Sequence, residues 1–133
     1  MTKIIDKVAW IHIQDQHLLC ARSKGKSLYY IPGGKRETGE SDEQTLIREV
    51  EEELSVRIQP ASISSFGVFE AAADGKGEDT IVRMSCYTGE YEGSIQPASE
   101  IETIAWLGYE DIEHASAATR LIMEELHQRG LLV

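Results

Sequence analysis

The chain has 133 residues, enough for one domain with its own apolar core and no need of disulfides or a structural metal. Hydrophobic residues make up 41% and charged residues 27%, ordinary for a soluble globular protein, and no apolar run approaches the length of a membrane span. The net charge of −10 excludes stable nucleic-acid binding, which rests on Lys and Arg neutralising phosphates. Nothing after Met1 reads as a signal-peptide core, and Cys20 and Cys86 sit singly in apolar, strand-like sequence. Both observations point to a cytoplasmic protein with buried thiols. His12, His17, His114 and His127 are scattered without ligand spacing and are expected on the surface or in packing.

Taken in order, Lys3 to Ile13 alternates loosely and predicts a first strand or strand pair. Gln14-Asp15-Gln16 is a turn, and His17 to Arg22 a second strand that forms a hairpin with the first. Ser23 to Ser27 is a flexible basic loop, and Leu28 to Ile31 a short strand leading into Pro32-Gly33-Gly34. The two glycines there free the backbone for close approach to a ligand. Ser41 with Gln44 forms a capping box, and a helix runs from near Asp42 to Leu54 without Gly or Pro. Strand residues follow from Val56 to Ala72, broken by Pro60, then a loop over Asp74–Asp79, a strand from Thr80 to Tyr91 and a loop from Glu92 to Ser99. Ile101 to Leu107 holds a short strand, and 115–129 is an amphipathic helix stopped by Gly130. Strands on both sides of a central helix, plus a last helix, predict an α/β fold: a mixed β-sheet with helices on its faces, in one domain over 1–133.

The central helix carries the chemistry. Leu46, Ile47, Val50 and Leu54 cover one flank, and Glu49, Glu52 and Glu53 project from the neighbouring arc. Like charges at this spacing destabilise a helix by a few tenths of a kcal/mol per pair, so helix stability does not account for them. Clustered hard oxygen donors suit Mg²⁺ or Mn²⁺, which recruit phosphates as further ligands. A solvated acidic face is the ordinary alternative. Between Gly34 and Leu54 lie eight acidic and three basic residues, half the net charge in one segment, so a phosphate substrate approaches only where a metal reverses the local sign.

The spacing Gly34, five residues, Glu40, seven residues, Arg48-Glu49-Val50, one residue, Glu52-Glu53 resembles the Nudix box over residues 34–56. Ser55 stands where the motif has a late glycine, followed by the expected aliphatic Val56. The resemblance implies a Nudix-type α/β/α sandwich with a loop-helix-loop catalytic motif. It also implies hydrolysis of a nucleoside diphosphate linked to another group, with Mg²⁺ as cofactor and Mn²⁺ as a substitute. On this resemblance Glu52 and Glu53 are the principal metal-binding carboxylates, and Glu49 is a ligand or the base that activates water. Arg48 orients Glu49, Glu40 is structural, and the backbone carbonyl of Gly33 or Gly34 completes the coordination.

Many Nudix enzymes add a carboxylate from a loop outside the box. Glu100 is the first choice here, Glu102 the second, and Glu78 or Asp79 the third. Arg22 and Lys35 resemble in placement the phosphate-contacting residues of MutT-type members, and Lys24 belongs to the same basic segment. Glu70 to Asp74 contains neither the Pro nor the Tyr that marks some other subfamilies. The favoured substrate is therefore a nucleoside triphosphate, an oxidised guanine nucleotide among the candidates, cleaved to monophosphate and pyrophosphate. Rival readings are ADP-ribose, a nucleotide sugar or a dinucleoside polyphosphate as substrate, or a nucleotide-sensing module without activity. Trp10, Tyr29, Phe69 and Tyr87 are candidates to stack a base, with core packing the commoner fate. The protein is expected to act on a small molecule as a monomer or homodimer, away from membranes.

Overall fold

The computed structural model describes residues 2–73 and 79–133. The strands are β1 (Lys3–Trp10), β2 (Ile13–Gln14), β3 (His17–Ser23), β4 (Gly33–Gly34), β5 (Arg57–Ile58), β6 (Ser64–Ala72), β7 (Thr80–Thr88), β8 (Tyr91–Glu92) and β9 (Ile101–Leu107). Helix α1 (Asp42–Leu54) follows β4, α2 (Ala117–Gln128) follows β9, and short 3₁₀ turns occupy Pro60–Ser62 and Tyr109–His114. One sheet has the order β4-β1-β7-β6 and is mixed, with β1 and β7 parallel and the other pairs antiparallel. A second sheet, β2-β3-β9, is antiparallel, and β5 pairs with β8. Among the described residues no helix is long and apolar enough to cross a membrane.

Alternation along β1 explains its central place. Val8 and Trp10 enter one apolar cluster with Leu46, Val50 and Leu54 of α1. Ala9 enters the other, with Ile122, Met123 and Leu126 of α2. A strand buried on both faces must have a helix on each side, which makes the α/β/α sandwich. The second sheet is shared in the same way: Leu19 of β3 faces α1, whereas Leu18 and Cys20 face α2.

Two strand expectations are corrected. The hairpin is confined to Ile13 and Gln14 pairing with Leu18 and His17, while β1 lies in the other sheet beside β7. Asp15 and Gln16 take φ values of +53° and +61° in the turn, a geometry that fits the right-handed twist of two antiparallel strands. Leu28 to Ile31 is not a strand: Tyr30 makes a single bridge to Ala21, and Tyr29 one to Ala115. Pro32 follows at once and has no N–H to extend a ladder, although its carbonyl accepts from Trp10 N–H at 2.8 Å. The loop expected over Asp74–Asp79 lies outside the described residues except for Asp79, and Glu78 with it.

Candidate active site

Two glycines and one helix assemble the site. The Ser41 hydroxyl accepts from Gln44 N–H and the Gln44 side chain accepts from Ser41 N–H, so the capping box starts α1 at Asp42. Gly33 pairs with Ala9 at φ +151°, and a Cβ there would lie 2.0 Å from the Val8 carbonyl oxygen. Gly34 answers a different need: a Cβ there would lie 2.4 Å from the Glu49 carboxyl carbon. One glycine lets the backbone press against β1, and the other seats a carboxylate of α1 against that backbone.

Arg48 ties the loop to the helix. Its Nε donates to Glu40 at 2.6 Å and its Nη2 to the same carboxylate at 2.9 Å. A further bond runs to the Lys35 carbonyl at 3.1 Å, and Nη1 donates to Glu49 Oε1 at 2.9 Å. Glu40 also accepts from Thr45 Oγ1 and from Glu37 N–H, each at 2.9 Å. The Arg48 side chain, followed by these N–H and O–H donors, holds the Glu40 carboxyl down at about 2. Glu52 lies on the outer side of this network, half exposed, 3.5 Å from Arg48.

Glu53 faces the other way. It is only 3% exposed and accepts from Gly33 N–H at 3.0 Å. Burial first, then the Glu49 and Glu100 charges, push its carboxyl up to about 8, against the opposing pull of the Gly33 bond. Glu53 and Glu100 are hydrogen-bonded to each other, and Glu100 is held low, chiefly by the Ser99 hydroxyl. The proton thus rests on Glu53. Glu49 is raised by burial as well, against the pull of Arg48.

The loop bearing Glu100 is laced to the helix end. Gln96 N–H donates to the Leu54 carbonyl and Ala98 N–H to that of Glu53, each at 2.9 Å. Ser55, in the left-handed region at φ +66°, closes α1 by donating its N–H to Glu51 and its hydroxyl to Gln96.

The candidate basic side chains have other partners or face solvent. Arg22 donates to Glu102 at 2.8 Å and to the Lys26 carbonyl at 2.9 Å, so Glu102 is engaged in an ion pair with Arg22. Lys24 and Lys35 have exposed side chains, and Lys24 N–H holds the Glu100 carbonyl at 2.9 Å. Trp10 is fully buried and packs in the core, and Tyr87 donates to Asp42. His12 stacks on Trp10 at 4.7 Å. Sequence reasoning missed Tyr30, which is hydrogen-bonded to Ser23 and lies in the field of Glu53, Glu100 and Glu49. Its place three residues before Gly33 was the available signal.

Among the described residues, no three His, Cys, Asp or Glu side chains already stand as a finished metal-binding group, and Glu52 is half exposed. The donor set still fits a hard divalent ion. Glu49 and Glu53 meet the glycine turn and Glu100 lies beside Glu53, and burial with crowding keeps a proton on Glu53, as expected where a cation's charge is called for.

The description NUDIX domain matches residues 6–129. This chain belongs to the Nudix family. It is a hydrolase of the pyrophosphohydrolase type, and the family acts on small nucleotide substrates and generally uses divalent metal ions. Among proteins of curated function, no sequence matches it. Solved structures share its fold. The E. coli ORF135 protein has 24% identity and a TM-score of 0.70, covering 96% of this chain and 91% of that one. A MutT NUDIX hydrolase from Burkholderia pseudomallei has 21% identity and a TM-score of 0.76 over 93% of this chain and 98% of that one. A bifunctional NMN adenylyltransferase/ADP ribose pyrophosphatase from Francisella tularensis, complexed with AMP and a manganese ion, has 20% identity and a TM-score of 0.68 over 97% of this chain and 42% of that one.

Proposed function

We propose that this Nudix hydrolase acts on a nucleoside triphosphate, an oxidised guanine nucleotide among the candidates, and releases monophosphate and pyrophosphate. The observation that carries the reading is that Glu53 and Glu49 both meet the Gly33–Gly34 turn, with Glu100 beside Glu53. The triphosphate rests on the sequence, where Glu70 to Asp74 has neither the Pro nor the Tyr that marks some other subfamilies. Likeness to the Francisella protein keeps ADP-ribose among the substrates to be tried.

Glu49, Glu52, Glu53 and the Gly34 carbonyl would hold Mg²⁺, or Mn²⁺ in its place. When bound, such an ion neutralises phosphate charge, polarises the phosphoryl oxygen and acidifies water. The chain's own residues do the rest. Water attacks phosphorus, a new P–O bond forms as the bond to pyrophosphate breaks, and one proton must be taken up. Glu49 and Glu100 are the acceptors within the site, because Glu53 already carries the proton of the Glu53–Glu100 pair. Arg48 fixes Glu49 Oε1 and leaves Oε2 for the ion. Arg22, Lys24 and Lys35 meet the outer phosphates, with Arg22 exchanging its bond to Glu102 for one to phosphate. The reduced, buried Cys20 and Cys86 support a cytoplasmic setting.

The test is phosphate and pyrophosphate release with Mg²⁺ and Mn²⁺ from standard and oxidised nucleoside triphosphates, ADP-ribose, nucleotide sugars and dinucleoside polyphosphates. A strongly preferred triphosphate yielding pyrophosphate establishes the reading. Preference for another member keeps the chemistry and replaces the substrate. Tight nucleotide binding with no turnover on any of them establishes a sensor.

A further inference from the structure

The mixed sheet ends on one side in the two-residue strand β4 and on the other in β6, nine residues long. Among the described residues, no strand pairs with the outer edge of β6. Ala73 N–H donates to the Thr80 carbonyl at 2.9 Å, and the alternation of an antiparallel ladder runs back from there. Phe69 and Ala71 thus turn their backbone groups towards β7, whereas Val68, Glu70 and Ala72 turn theirs outward. A long free edge is a template for another strand unless Pro, Lys or a bulge blunts it. β6 contains neither Pro nor Lys, and its register shift, between Ser65 and Gly67, leaves the row from Val68 to Ala72 regular.

The side chains along this edge carry almost no net charge. Val68 is 60% exposed, on the opposite face of the sheet from Phe69 and α2. Glu70 is the one charged residue of the strand, and Arg83 of β7 is paired with it. Phe66 lies under the Arg129 guanidinium, 4.6 Å from it, and Arg129 is itself paired with Glu125. In a chain of net charge −10, this edge offers a second strand hydrogen bonds and apolar surface without like-charge repulsion.

We infer that β6 is the dimer interface of this protein: two copies pair their β6 strands antiparallel about a two-fold axis at Val68, joining their mixed sheets into one. Val68 is the middle residue of Ser64–Ala72, so pairing about that point uses nearly the whole strand. Val68 then meets its own copy, and Glu70 falls opposite Phe66. The two Glu70 carboxylates stand roughly 13 Å apart along the strands, beyond the ~8 Å screening length of physiological salt. No charge of one copy has to be matched by the other.

Sedimentation of the full chain tests this, over a concentration series from about 1 to 100 μM. The mass should rise towards twice that of the chain. Association should tighten as NaCl goes from roughly 0.05 to 0.5 M, because salt screens the repulsion between two acidic chains and this seam has no ion pair to lose. Val68→Lys sets two ammonium groups face to face and should weaken association at least ~10-fold. Its melting temperature at the lowest concentration should stay unchanged, since residue 68 is exposed in the single chain. Val68→Cys should oxidise to a covalent dimer, because directly opposed residues of this kind have Cα atoms about 5.5 Å apart, within disulfide reach. Thr103→Cys, on the outer strand of the second sheet, should not, and Cys20 and Cys86 are buried. A chain that stays monomeric through the series overturns the proposal. So does a dimer that survives Val68→Lys, loosens with salt, or cross-links through Thr103→Cys and not through Val68→Cys.

Discussion

Burial sets the charge state of Glu53, and the pH dependence of stability follows from it. In the metal-free protein the folded state keeps this proton up to about pH 8, whereas the unfolded chain releases it near ~4.3. Between those values folding takes up a proton, so stability is full below the lower value and declines as pH rises towards the higher one, by at most ~1.4 kcal/mol per pH unit. Thermal melts between pH 5 and 8 in a chelator should show the decline, Glu53→Gln should flatten it, and excess Mg²⁺ should offset it by displacing the proton. Glutamine keeps the oxygen that accepts from Gly33, so Glu53→Gln should fold while losing at least ~10²-fold in turnover, the scale of removing one electrostatic stabiliser. A folded variant with ordinary turnover would take Glu53 out of the chemistry. Glu100→Gln, assayed with metal titration, puts the loop carboxylate to the same question. Helical spacing put Glu49, Glu52 and Glu53 on one arc, yet their environments differ: Glu53 is sealed in and Glu52 is half exposed. The difference comes from the 96–100 loop folding over one side of the arc, a non-local contact that periodicity along a helix does not encode.

Helix α1 is held by its ends and by Arg48, and each restraint makes a measurable difference. Ser55 occupies the left-handed region where glycine is at ease, as the position of the motif's late glycine suggested. Ser55→Gly should raise stability by about 0.5–1 kcal/mol, read as a small increase in Tm, since the hydroxyl bond it gives up is exposed. Lysine in place of Arg48 cannot fork across the Glu40 carboxylate or reach Glu49 and Lys35 at once. Arg48→Lys should destabilise by about 1–2 kcal/mol after solvent screening, and it should lower turnover more than that loss of folded protein explains. The helix was legible because its capping box and apolar stripe are local signals. The sheets were less so, because β2, β5 and β8 are two residues long, and Leu28–Ile31 has strand residues without room for a ladder before Pro32.

Across the molecule, the sheets divide the interior into two apolar clusters. Leu46 lies in one under α1 and Leu126 in the other under α2, both fully buried. Truncating either to Ala should cost about 2–5 kcal/mol by chemical denaturation, and the two losses should add, because the sites share no neighbours in one cluster. Well below the melting temperature Leu46→Ala should also depress turnover, since α1 carries the carboxylates, whereas Leu126→Ala should leave it nearly intact. Most of the longer strands and the sandwich were visible in the sequence. The partition of β1 between two clusters was visible only as a loose alternation, because a strand buried on both faces reads as nearly continuous apolar residues.

The lacing of Gln96 and Ala98 to the last turn of α1 has a consequence for motion. Those two amides can exchange with deuterium only when the loop lifts from the helix end, so they should exchange together with the amides of that turn, as one cooperative unit. Opening that unit separates Glu100 from Glu53. Fluctuation of the carboxylate pair is thereby slaved to a local unfolding event, and whatever tightens the pair should also slow exchange at Ser23 and Lys24, whose backbones hold the other side of the same loop.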